Sequence, residues 1–146
     1  MSQFRPPEYI ESDDLLLRPP EARDAQALFD EMLGDAETVR HLGFLRHATP
    51  DETLSFIEDA QRGWQDGTLI RWVMEIKANG RLAGLMELRP QPPRVELGLI
   101  FSRPGAAHRQ RAGFHALRQV LKWLLAQPPI FRIYAHCAVD GKAHSF

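Results

Sequence analysis

The chain predicts an α/β fold, a mixed but mostly antiparallel sheet flanked by helices, and three observations carry that expectation. Apolar residues recur at helical spacing up to Gly67 and alternate as in a strand from Arg71 onward. An Asn79-Gly80 pair sits between two alternating runs, which is a strong hairpin signal. Between Val95 and Ala138 a strand-like, a helix-like and another strand-like segment follow one another. That order normally gives a parallel strand pair joined by a crossover helix, whose N-terminus lies beside the C-terminal end of the first strand. With 146 residues, 44% apolar and 25% charged, a single globular domain over 1–146 is expected.

The elements follow in order. Leu15-Leu16-Leu17-Arg18 is a short strand stopped by Pro19-Pro20. Asp24 reads as the N-cap of a helix in which Ala25, Leu28, Phe29 and Met32 share a face until Gly34, and a shorter helix is expected from Ala36 to Leu42. Thr49-Pro50-Asp51-Glu52 is a capping box with proline at the first helical position, and Leu54, Ile57 and Trp64 line the helix it starts, which stops near Gly67. Arg71 to Lys77 and Leu82 to Arg89 form the hairpin around Asn79-Gly80. Pro90-Gln91-Pro92-Pro93 is expected to force a loop before the strand Val95 to Phe101, which carries Glu96, Gly98 and Ile100 on one face. After Pro104-Gly105 a helix presents Phe114, Leu117, Leu121 and Leu124, Pro128-Pro129 closes it, and Phe131 to Ala138 is the last strand. The order is β-α-α-β-β-β-α-β, without internal repeats.

Charge is unevenly distributed. The chain has 18 basic and 19 acidic residues, yet Leu97 to Val139 holds no acidic residue and six cations, Arg103, Arg109, Arg111, Arg118, Lys122 and Arg132, with His108, His115 and His136. That stretch is therefore +6, and the remaining 12 basic and 19 acidic residues make −7. Such segregation points to an anionic partner. A helix N-terminus offers free N–H groups and a positive dipole end, and His108-Arg109-Gln110-Arg111-Ala112-Gly113 opens the crossover helix. Phosphate binding and a merely solvated basic helix start are both compatible with it.

Other classes are disfavoured. The N-terminal segment has no apolar signal region and no stretch approaches the roughly 18 apolar residues of a membrane span, so a cytoplasmic location without membrane contact is expected. Cys137 is the sole cysteine, and no Cys/His cluster has metal-ligand spacing, so neither a disulfide nor a metal site is expected. No nucleic-acid motif accompanies the cations, and nucleic-acid binding is not expected.

Leu15-Leu16-Leu17-Arg18-Pro19, Asp24-Ala25, Gly80-Arg81-Leu82-Ala83-Gly84-Leu85-Met86-Glu87-Leu88, Val95-Glu96-Leu97-Gly98 and Ala116-Leu117-Arg118 followed by Trp123 stand in an informative order. Together they resemble the GNAT N-acetyltransferase superfamily, in particular its ribosomal-protein alanine acetyltransferase branch, over nearly the whole chain. The resemblance implies direct transfer of an acetyl group from acetyl-CoA to a primary amine, on a protein N-terminus or a small molecule. It implies a coenzyme A pyrophosphate loop, falling here on Arg109, Gln110, Arg111, Ala112 and Gly113. It also implies oxyanion stabilisation by backbone N–H groups near Leu99, Ile100 and Phe101, as fixed donors in a water-poor site provide.

Glu96 is the candidate general base, the alternative being a strand glutamate paired with Arg89 or Arg94. Glu87 and Glu75 are weaker candidates of the same kind. Cys137, Tyr134, His136 and the tryptophans Trp64, Trp72 and Trp123 read as packing residues.

Two departures from the family pattern stand out. His115 occupies a loop position where a small residue is expected, and aligning Ala116-Leu117-Arg118 with the family's helix instead puts Arg109 and Arg111 at the glycine positions. The family's last helix and strand pair, where the general acid commonly lies, are expected to be missing after Val139. A bare final strand would invite a homodimer that completes the sheet. The competing functional class is a catalytically impaired GNAT-fold protein acting as a binding module.

Overall fold

The computed structural model describes residues 5–39, 46–102, 112–127, 132–139 and 142–145. Its centre is a seven-stranded sheet whose spatial order follows the chain, β1 (Ile10–Glu11), β2 (Leu15–Arg18), β3 (Ile70–Ile76), β4 (Leu82–Gln91), β5 (Arg94–Phe101), β6 (Arg132–Val139) and β7 (Lys142–Ser145). Every neighbouring pair is antiparallel except β5 and β6, which are parallel and joined through α4 (Ala112–Leu125). The expected strand, crossover helix, strand unit is therefore present, and the mixed, mostly antiparallel sheet is the observed fold.

Helices cover both faces. On one, Leu15, Leu17, Trp72, Met74, Met86, Leu88, Val95 and Leu97 share a core with Ala116, Leu117, Val120 and Leu124 of α4. On the other, Val73 and Leu85 pack with Leu28 of α1 (Ala25–Leu28), Met32 and Leu33 of the following π-helical turn, and Ile57 of α3 (Pro50–Asp66). Double cover explains why β3 is buried nearly throughout and shows no inside-outside alternation. The tryptophans pack as expected: Trp72 is fully buried, Trp64 meets it edge-on at 5.5 Å, and Trp123 lies against the same core.

The caps of α3 are those the sequence encodes. Thr49 Oγ1 accepts the Glu52 N–H at 3.4 Å, Pro50 opens the helix, and Gly67 closes it in the left-handed region at φ 72°. At the hairpin, Gly80 likewise supplies a φ of 73°.

Four expectations need correction. A two-residue strand, β1, precedes the expected first strand and is too short to show a period. Asp24 stands at the N-cap position of α1 but makes no capping bond to it: it ends a 3-10 turn (Ala22–Asp24), where its carboxylate accepts the Glu21 N–H at 2.8 Å and is held by Arg18. The loop expected over residues 90–93 shrinks to Pro92-Pro93, because β4 continues to Gln91 and pairs with Arg94. Pro90 is tolerated there because β3 ends opposite Leu88, so no second neighbour asks for the missing N–H. Finally, β6 is not a bare edge, since β7 pairs with it from His136↔Ser145 to Val139↔Lys142. The second short helix, α2 (Ala36–Val39), matches its expected start, and residues 40–42 lie outside the described residues.

Two contacts fix the sheet. Arg18 is 5% exposed and grips Asp24 through Nη1 and Nη2 at 2.8 and 2.9 Å, with a further bond to Glu75 at 3.2 Å. The hydrogen bonds that Arg18 donates to Asp24 raise the guanidinium above its ordinary pKa against the opposing effect of burial. Gly84 lets β4 and β5 close, because a Cβ there would lie 2.1 Å from the Ile100 carbonyl oxygen and 2.7 Å from Met74 Cε.

Removing the carboxylate in Asp24→Ala should cost about 3–5 kcal/mol, as expected when a buried cation loses its partner. A midpoint in urea equal to that of the native chain would contradict it. Gly84→Ala should cost about 1–3 kcal/mol through overpacking. The same unfolding curve tests it, and full retention of stability would mean that β5 yields there freely.

Candidate active site

β5 positions the candidate site. Its register with β6 runs from Arg94↔Arg132 to Leu99↔Cys137 and stops there, although β5 continues to Phe101 and β6 to Val139. On its other side β5 stays paired with β4 to the end, Gly84↔Phe101. Ile100 and Phe101 thus belong to a strand held on one side only, and Leu99 is the last residue in register on both. Backbone groups that a neighbour has stopped using are available to a ligand. Ser102, buried just beyond, donates its hydroxyl to the Leu82 carbonyl at 2.8 Å and pins the end of the strand.

The three candidate carboxylates have different surroundings. Glu75 bonds Arg18. Glu87 accepts from Arg71 Nε at 2.6 Å and from Arg89 Nε at 2.9 Å, so two cations occupy its oxygens. Glu96 is exposed, and no ion pair or hydrogen bond joins its carboxylate among the described residues. Although Arg89 stands opposite Glu96 in register, its guanidinium turns to Glu87 instead. Among the described residues Glu96 is thus the one of the three candidate carboxylates without an ion-pair partner.

Beside β5, on the face covered by α3, lies a group that sequence reading missed. Arg71 is 8% exposed at its side chain, donates to the Phe56 carbonyl at 2.9 Å and stacks over the Phe56 ring at 3.6 Å. Burial lowers the Arg71 pKa and Glu87 opposes that shift. The Phe56 ring also meets His47 edge-on at 5.7 Å, and His47 Nδ1 lies 2.7 Å from Thr53 Oγ1. Counting back from a two-residue turn at Asn79-Gly80 would set Arg71 opposite Leu88, and the connection 77–81 with a register shift between Met74 and Glu75 brings it opposite Glu87 instead. Nothing in a single sequence links Phe56 and His47 to that pair.

The expected phosphate loop is partly on view. Ala112 and Gly113 form the start of α4, while Arg109, Gln110 and Arg111 lie outside the described residues, as do Arg103 and His108. His115, the bulky departure from the family pattern, is exposed on α4 with Nε2 3.4 Å from Gln119 Nε2. Gln119 in turn donates to the Glu11 carbonyl at 2.8 Å, which ties α4 to β1. Tyr134, His136 and Cys137 are strand residues of β6, with His136 in register with Gly98; their side chains lie outside the described set. Among the described residues no group of three or more His, Cys, Asp or Glu could hold a metal ion, and no helix is long and apolar enough to cross a membrane.

Comparison with known proteins agrees with this architecture. The sequence profile described as "Acetyltransferase (GNAT) domain" matches residues 14–144. A GNAT-family acetyltransferase from Bacillus anthracis superposes with a TM-score of 0.71 at 17% identity, over 90% of this chain and 75% of that one. The ribosomal L7/L12 alpha-N-protein acetyltransferase RimL gives 0.73 at 19% identity, over 91% and 73%. The microcin C7 self-immunity acetyltransferase MccE, solved with acetyl-CoA and AMP, gives 0.73 at 16% identity, over 94% and 77%. At these identities the likeness is one of fold. No match was found among curated proteins.

The half-buried His47 makes a pH prediction. Burial lowers its pKa from the ordinary 6.5, with Arg71 reinforcing the shift and Glu52 opposing it. The unfolded chain then takes up a proton at higher pH than the folded protein. This contribution favours folding above about pH 6.5 and is lost as pH falls through the window below it. Melting temperatures recorded across that window should fall less for His47→Gln than for the native chain. Parallel curves would show that His47 does not titrate differently on folding.

Proposed function

Because the chain belongs to the GNAT acetyltransferase family, whose members transfer acetyl groups, we propose that it moves an acetyl group from acetyl-CoA to a primary amine by direct transfer. The observation that carries this reading is the carboxylate of Glu96, without an ion-pair partner among the described residues, on β5, whose last residues have lost one strand neighbour. A protein N-terminus or a small-molecule amine is the proposed acceptor. The solved acetyl-CoA complex of MccE supports the donor, and the fold shared with RimL supports a protein N-terminus among the acceptors.

Each step has a residue for it. The acceptor must reach the thioester as a neutral amine, and Glu96 takes its proton directly or through a water. Backbone N–H groups of Leu99, Ile100 and Phe101 stabilise the charge that develops on the acetyl oxygen, since fixed dipoles need no reorganisation. Arg109, Gln110 and Arg111, with the first helical residues Ala112 and Gly113, hold the pyrophosphate by charge and by free helix N–H groups. The donor brings the activated acetyl group and leaves as coenzyme A. Glu87 and Glu75 hold the sheet together and take no part in proton transfer. The reading further places the protein in the cytoplasm as one domain. A homodimer, if formed, would use a surface other than the flank of β6 that β7 covers.

Acetyl-CoA at 100 times its dissociation constant should stabilise the fold by about 2.7 kcal/mol, seen as a rise in melting temperature. Arg109→Ala combined with Arg111→Ala should remove that rise, and an undiminished rise would send the phosphates elsewhere. Glu96→Gln should keep the donor-induced rise yet lower kcat by about a hundredfold or more at neutral pH. Donor binding without turnover in the native chain would favour the binding-module reading.

A further inference from the structure

Beyond Leu99 the end of β5 is held differently in different directions. Perpendicular to the sheet it is gripped from both faces, since Ile100 packs against the core beneath α1 and α3 and Phe101 against the core shared with α4. Within the plane of the sheet the hold is one-sided, because register with β6 has stopped and β4 alone continues. Gly84 lets the two strands close beside the Ile100 carbonyl, and the Ser102 N–H donates to the Ala83 carbonyl at 2.8 Å. The Ser102 hydroxyl reaches one residue further along β4 and donates to the Leu82 carbonyl at 2.8 Å. Ser102 is 1% exposed, a setting in which a hydrogen bond is stronger than in water. Hydrogen-bonding directions alternate along a strand. With the Ser102 N–H turned to β4, the Phe101 N–H faces the opposite side, where β6 no longer follows in register.

We propose that Ser102 is a positioning residue for acetyl transfer: by tying the open end of β5 to Leu82, its hydroxyl fixes the aim of the Phe101 N–H at the carbonyl oxygen of the donor's acetyl group. The assignment rests on the acetyl-transfer reading above and adds a residue that acts through its neighbour rather than on the reactants. As the amine nitrogen bonds to the carbonyl carbon, the C=O electron pair moves onto oxygen, and it returns when the C–S bond breaks and the thiolate leaves. A donor already aimed at that oxygen needs no reorganisation, whereas a misplacement of about 1 Å costs up to about a hundredfold in rate.

Infrared spectra of bound acetyl-CoA, isotope-labelled at the acetyl carbonyl, test this without any acceptor, because a hydrogen bond to that oxygen lowers its stretching frequency. On the native chain the band should lie below that of free acetyl-CoA. In Ser102→Ala it should return toward the free position while acetyl-CoA affinity is kept. Ser102→Cys, which keeps the side chain's shape with a weaker donor, should give a band between the two. Ser12→Ala is the control: it removes another buried hydroxyl, bonded to Leu15 in the turn between β1 and β2, with β3 and β4 between it and β5. Its band should match the native one, and melting temperatures check that every variant is folded. A band unmoved in Ser102→Ala overturns the proposal, and so does an equal movement in Ser12→Ala, which would make the hydroxyl merely structural. A native chain that binds acetyl-CoA without lowering the band overturns it too, yet leaves the acetyl-transfer reading standing. If the native chain binds no acetyl-CoA, that reading itself falls and the role of Ser102 with it.

Discussion

Charge buried beneath helices must find opposite charge, and that constraint organises the centre of this molecule. The face of the sheet covered by α1 and α3 carries Arg18, Arg71, Glu75 and Glu87, none of them fully in water. Isolated, each would be costly there. Together they resolve into two linked groups, Arg18 with Asp24 and Glu75, and Glu87 with Arg71 and Arg89. The first ties β2, the 3-10 turn and β3 into one unit. The second ties β3 and β4 to the backbone of α3 through Phe56.

The same constraint sorts the carboxylates by role. A glutamate under the helical layer has its oxygens engaged by arginines. Glu96 lies where that layer no longer reaches, on the strand whose far end has shed one neighbour. Pairing among these carboxylates follows position relative to the cover, not residue type. Arg89 makes the point: it faces Glu96 in register, yet a half-buried carboxylate claims it first.

Much of this was legible in the sequence, and the limits are physical. Strong local signals transferred almost unchanged: the Thr49 cap, the Gly67 stop, the Asn79-Gly80 hairpin and the crossover helix all depend on neighbouring residues. Asp24 holds the N-cap position that the sequence indicates yet does not cap the helix, because a buried arginine six residues earlier claims the carboxylate. Pro90 was taken as a loop residue because the sequence does not tell that β3 ends before reaching it. At the proposed site, strand position and family pattern singled out Glu96 as the candidate base. That Glu87 and Glu75 were spent on arginines needed cross-strand geometry. The Phe56, His47 and Arg71 contacts join segments whose proximity no local pattern encodes.

The strand order that simply follows the chain bears on how the protein is assembled in time. β3, β4 and β5 form a meander closed by the short connections 77–81 and 92–93, so their pairing entails little loop-closure entropy. β2 and β6 join that meander only across long excursions, one bringing α1 to α3 and the other α4. Local pairings form faster than distant ones. On that ground the meander is the expected nucleus, and β6, which pairs with β5 only as far as Leu99, is expected to dock late. On that order the end of β5 beyond Leu99 is held by β4 before β6 arrives, so its one-sided pairing would be set early in assembly.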